Sequence, residues 1–117
     1  MVEDFVTRTK EEYRDAKPYK YAVVTDDGTG TTQTVWTPAS GKAVRIAAAI
    51  ISADSACKIE FRWGTTTFCH LEFESRKTHP IYIPFDLKGG VNEALNVYVL
   101  SDAGTVNVYV TVIGEEE

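Results

Sequence analysis

Apolar and polar residues alternate along most of this chain with the two-residue period of β-strands. The clearest case runs Cys57, Ile59, Phe61, Trp63 against Lys58, Glu60, Arg62, and returns as Cys69, Leu71, Phe73 against His70, Glu72, Glu74. These runs predict a hairpin about Gly64 with one core face and one charged face, and matching the core faces pairs Cys57 with Phe73 and Cys69 with Phe61. Val106, Val108, Val110 and Val112 predict another inward row, in a strand over 105–113 that closes a second hairpin with 94–100 about Asp102-Ala103-Gly104. On the faces opposite their valine rows, Tyr98 and Tyr109 then become cross-strand neighbours and candidates for an exposed contact.

Upstream, 19–25 (YKYAVVT) reads as a strand, DDGTG at 26–30 as a tight turn, and 31–36 as a half-exposed strand ending in Trp36. A turn at TPASGK leads into a strand over 43–51, which puts Val44, Ile46, Ala48 and Ile50 on one face and Arg45, Ala47, Ala49 and Ile51 on the other. The second face is small and apolar past Arg45, a surface that belongs under a second sheet or against another subunit. The segment 79–85 (HPIYIPF) has prolines at 80 and 84, which predicts an edge or irregular strand. Residues 87–92 read as a loop, and Gly114 with three glutamates ends the chain in solvent.

Short strands punctuated by turn signals predict an all-β fold, an antiparallel β-sandwich of jelly-roll type with about eight strands spanning 19–117 as one domain. Residues 1–18 are expected to make an extended or partly helical N-terminal arm, rich in charge, in which Phe5, Val6 and Tyr13 are the candidates to order on a neighbouring subunit or larger assembly.

Length and charge narrow the functional classes. At 117 residues the chain holds one core, and a net charge of −5 disfavours nucleic acid and anionic membranes as partners. Apolar runs fall short of the roughly 18 residues of a membrane span, and the charged start lacks the apolar core of a signal peptide, so synthesis in the cytoplasm is expected. The hairpin register separates the two cysteines by four residues, about 13 Å at strand rise, beyond the roughly 7 Å a disulfide tolerates. Two reduced, buried thiols are expected.

The chemistry-bearing residues are sparse. His70, Glu72, Glu74 and His79 are the nearest approach to a metal-ligand set, yet charged residues at alternate strand positions are what a solvated face looks like. There is no GxSxG, no CxxC, no phosphate loop, and Cys69 and His70, adjacent on a strand, point to opposite faces. No enzyme activity, cofactor or metal is expected. Trp36, Trp63, Tyr82, Tyr98 and Tyr109 suggest a sugar-stacking platform as the alternative function, although Trp63 continues the inward row and Trp36 suits the end of a sandwich as a plug.

The run VWTPASGKAVRIAAAIISAD, the following hairpin, the proline-containing strand, the Gly-Gly loop and the closing SDAGTVNVYVTVIGEEE together resemble small structural proteins of tailed phages and similar viruses, above all capsid decoration or cementing proteins. The similarity lies in the order of elements over 35–113. It implies a β body that assembles as a homo-oligomer, a trimer by preference, on the major capsid protein, with 1–18 as an arm gripping neighbouring subunits, in the virion. Self-association candidates under that resemblance are Val35, Trp36, Ala47, Ala49, Tyr98 and Tyr109. A tail or baseplate accessory protein reads similarly.

Overall fold

A computed structural model describes residues 18–117, with the backbone alone for 82–86. Among these described residues eight strands form: β1 (Tyr19–Asp26), β2 (Thr31–Trp36), β3 (Val44–Ala53), β4 (Cys57–Trp63), β5 (Thr66–Phe73), β6 (Lys77–Lys88), β7 (Leu95–Ser101) and β8 (Val106–Glu116). They make two four-stranded sheets, β1-β8-β3-β6 and β2-β7-β4-β5, in which all the pairings are antiparallel. Only β4 and β5 are consecutive neighbours within a sheet; the other connections cross between sheets, and this strand order is that of a jelly roll.

The core fills the space between the sheets. Val106, Val108, Val110 and Val112 are fully buried on β8, and Val97 and Val99 face them from β7. The β4–β5 hairpin has Cys57 opposite Phe73 and Phe61 opposite Cys69, the register that the apolar pattern predicts. Both cysteines are free, Cys57 buried and Cys69 half-buried. Burial, reinforced by Asp102, Asp54 and Asp26, pushes the Cys57 thiol up to about 11.

Four expectations need correction. On β3 a bulge between Ile46 and Ala48 inserts one extra residue, so the inward set is Val44, Ile46, Ala49 and Ile51, while Ile50 faces solvent. Strict alternation fails there because a bulge shifts side-chain parity by one. Second, β7 and β8 belong to different sheets, so 101–105 is a corner rather than a hairpin turn. Tyr98 and Tyr109 consequently lie on opposite outer surfaces. Third, β6 continues to Lys88 before the Gly-Gly loop; it is an edge strand, as its prolines imply. Fourth, the C-terminal glutamates continue β8: Glu116 and Glu115 pair with Val44 and Arg45, and Glu117 exchanges both backbone hydrogen bonds with Ala43 at 2.9 Å. The Glu117 carboxylate accepts from Arg45 at 2.8 Å and lies 3.2 Å from the Lys88 ammonium, which holds its pKa down at about 2.

One buried carboxylate ties the sheets together at the opposite end. Asp26 is 1% exposed; its Oδ1 accepts from the Gly30 amide and the Thr31 hydroxyl, both at 2.8 Å, and its Oδ2 from the amides of Gly28 at 3.0 Å and Ser101 at 2.7 Å. Burial works to raise its pKa, but these four donors outweigh it and hold the carboxyl below the usual range.

Candidate functional site

The two outer surfaces differ in kind. On the β2-β7-β4-β5 sheet the outward rows are polar and charged: Glu60 lies between Tyr98 and His70, and Lys58 between Leu100 and Glu72. The Arg62 guanidinium sits 4.3 Å over the Tyr98 ring and donates to Glu60 at 3.1 Å. Tyr98 is half-buried, its ring rim so near Gly30 that a Cβ there would meet the hydroxyl at 2.5 Å. This is a satisfied, solvated face of modest energetic value.

The β1-β8-β3-β6 sheet is different. Its outward rows run Val23, Tyr109, Ser52, Thr78, then Tyr21, Thr111, Ile50, Pro80, then Tyr19, Ile113, Ala48. None of these side chains is charged; Arg45, Glu115, Lys88 and Glu117 are confined to one end. Tyr19 is 68% exposed, Tyr21 58%, Ile50 44%, Tyr109 40% and Val23 38%. At roughly 150–200 Å² per full side chain these five expose on the order of 450 Å², within the range where the largest patch on a monomer is commonly functional. The side chains stand where the twist and pleat place them: odd-numbered residues of β1 and β8 point out while Ala22, Val24, Val108 and Val110 fill the core.

The residues expected to carry function distribute unevenly about this face. Tyr109 lies on it, and Ala47 sits half-buried at the β3 bulge beside it. Val35, Trp36 and Ala49 are buried, 9%, 2% and 4% exposed, and therefore pack the core of the single chain rather than offering a free surface. Tyr98 belongs to the charged face. Phe5, Val6 and Tyr13 lie outside the described residues, as does the side chain of Tyr82. Alternation alone does not single out Tyr19, Tyr21, Val23 and Ile50, although the lack of charge at alternate positions of β1 and β8, against Lys58, Glu60 and Arg62 on β4, is a readable signal.

For the two other chemistries, placement is informative. His70 and Glu72 stand on β5 with their side chains 3.3 Å apart, whereas His79 is on β6 of the other sheet, edge-on to Phe73. Among the described residues no three His, Cys, Asp or Glu side chains converge as metal ligands. Trp36 is enclosed at the sandwich end beneath Lys20, whose ammonium lies 5.5 Å from its ring, and Trp63 stacks on Phe68 at 4.8 Å while packing against Gly89. Neither tryptophan belongs to the uncharged face.

No family model and no curated protein matches the sequence. Solved structures share the fold at low identity. PirA matches with a TM-score of 0.50 at 10% identity over 80% of this chain and 92% of that one. A capsid structure of Helicobacter pylori bacteriophage KHP30 matches with a TM-score of 0.49 at 10% identity, covering 87% and 94%. A de novo designed double-stranded β-helix matches with a TM-score of 0.40 at 13% identity, covering 83% and 97%. At such identities the likeness concerns the fold alone.

Proposed function

We propose that this chain is a structural protein of a virus particle, a decoration or cementing protein that lies on the capsid shell through the outer face of its β1-β8-β3-β6 sheet. The observation that carries the reading is the charge-free surface of Tyr19, Tyr21, Val23, Ile50 and Tyr109, on a chain that otherwise displays charge freely. Burying a patch of this size gains on the order of 10 kcal/mol per copy at about 25 cal/mol per Å², before the cost of association is subtracted. Repeated over a shell, and with residues 1–18 reaching adjacent subunits, such contacts act together through avidity and resist expansion of the shell. The element order that resembles decoration proteins supports the same reading.

The test is cosedimentation of the full chain with capsid shells of the virus that encodes it. Saturable pelleting of the wild type, lost on Ile50→Glu with Tyr21→Glu, supports a docking face. Alanine at Phe5 and Tyr13 tests the arm separately: unchanged binding would remove the arm from the proposal.

Three exposed tyrosines on one sheet face also suit the stacking of sugar rings, which keeps a carbohydrate-binding module as the second reading. That reading predicts a tyrosine emission that responds to polysaccharide and a response that is lost on Tyr21→Ala.

A further inference from the structure

A sheet edge is a binding site whenever its backbone is left unpaired, since every free N–H and C=O invites an extended partner. The four edges of this sandwich are not equivalent. Strand β6 carries Pro80 and Pro84, and its register against β3 breaks between Ile46 and Ala48. On β2 a shift falls between Thr34 and Trp36, and on β5 the pairing shifts opposite Phe61 and Arg62. Strand β1 has none of these devices. Its eight residues pair with β8 without a shift from Tyr19–Ile113 to Asp26–Val106, contain no proline or glycine, and show no charge on the outer face.

Which backbone groups of β1 are free follows from one hydrogen bond. The Gly114 amide donates to the Pro18 carbonyl at 3.0 Å, and Gly114 stands opposite Pro18 in the continued register. In an antiparallel pair, residues alternate between those that exchange bonds with the neighbour and those that turn away from it. Even-numbered residues of β1 therefore face β8, and Tyr19, Tyr21, Val23 and Thr25 direct their N–H and C=O groups off the edge. Among the described residues nothing else bonds these groups.

We propose that the edge of β1 takes a second copy of this chain, β1 against β1 in antiparallel pairing about a twofold axis at Ala22. This register is self-complementary. It places Tyr21 opposite Val23 and Tyr19 opposite Thr25 of the other copy, each as a bond-exchanging pair, so every free edge group of the four residues finds a partner. It keeps outward residues outward, as a continuous sheet requires, and Tyr21 against Val23 is an aromatic against β-branched pair of the favourable kind. The two four-stranded sheets become one of eight strands, and the uncharged faces of the two copies join across the axis. The opposing pairs carry no like charges, because the two charged residues of β1, Lys20 and Asp26, fall opposite Val24 and Pro18. The pairing stands independently of any role in a virus particle, and it is twofold rather than the threefold assembly that the resemblance implies.

The test uses the full chain, with light scattering after size exclusion and hydrogen exchange of the β1 amides. A mass of about 26 kDa, twice the 13.0 kDa chain, is expected. Val23→Pro removes a donor that β8 does not use and is expected to give a monomer with an unchanged far-ultraviolet spectrum. Should that variant fail to fold, Tyr21→Lys and the exchange data decide. The amides of Tyr19, Tyr21, Val23 and Thr25 are expected to be slow in concentrated wild-type protein and fast on dilution. A wild-type monomer, a trimer, an oligomer that survives both substitutions, or fast exchange of these four amides at all concentrations would overturn the proposal.

Discussion

Replacing Asp26 by asparagine isolates the contact that holds the β1–β2 turn against the end of β7. The carboxylate accepts four hydrogen bonds, two on each oxygen, and an amide has one oxygen. In its better orientation the asparagine oxygen keeps the Gly28 and Ser101 amides, and its NH2 faces the Gly30 amide and the Thr31 hydroxyl. The hydroxyl can turn and accept, but the Gly30 donor is left without an acceptor, at about 1–3 kcal/mol. The two retained bonds lose their charge assistance, roughly 0.5–1 kcal/mol each. A destabilisation of about 3 kcal/mol results, or a Tm lowered by about 12 °C for a domain of this length. Urea unfolding followed by tryptophan fluorescence reads it, since Trp36 is enclosed in the native state. The pH dependence has a defined sign. Because the folded pKa of Asp26 lies below its ordinary 3.8, its contribution is complete above that value and is lost as pH falls through the folded pKa. The stability difference between wild type and variant should therefore shrink in acid. A loss below about 1 kcal/mol at neutral pH, or a difference that does not shrink, would refute the reasoning.

Three further outcomes follow from the packing. Gly114→Ala on β8 drives a methyl into the Arg45 carbonyl beside the β3 bulge, and is expected to cost about 2–4 kcal/mol in urea unfolding, far more than an exposed strand substitution. The Glu117 carboxyl should titrate by NMR near 2 at low salt and return toward its ordinary 4.5 in high salt, because its partners Arg45 and Lys88 are solvent-accessible; an ordinary value at low salt would remove the ion pairs. Native protein at pH 8 should leave Cys57 unreacted with a disulfide reagent until denaturant is added, as its burial and raised pKa both suppress the thiolate; prompt labelling would contradict the packing.

The parts of the fold legible in the sequence are those with a strong local signal. The β4–β5 register follows from two clean alternations joined at Gly64, the β8 core row from four valines at spacing two, and the β6 edge from its prolines. What was not legible depends on distant contacts. Nothing in AVRIAAAII marks Ala47 as the residue that bulges, because alanine suits either parity. The turn Asp102-Ala103-Gly104 reads the same whether it joins neighbouring strands or carries the chain across the sandwich. The three terminal glutamates look like a solvated tail until Ala43, Arg45 and Lys88 are placed beside them. Of the uncharged face only Tyr109 stands out in the sequence, because the rest depends on β1, β8 and β3 being neighbours.

Whether the protein resides on the capsid shell is decided by the composition of purified virus particles. Quantitative mass spectrometry of particles from a host carrying this gene should find the chain in copy numbers comparable with the shell protein, and absent when Ile50→Glu with Tyr21→Glu replaces the wild type. Particles free of the chain, with the folded wild-type protein abundant in the same lysate, would contradict the account.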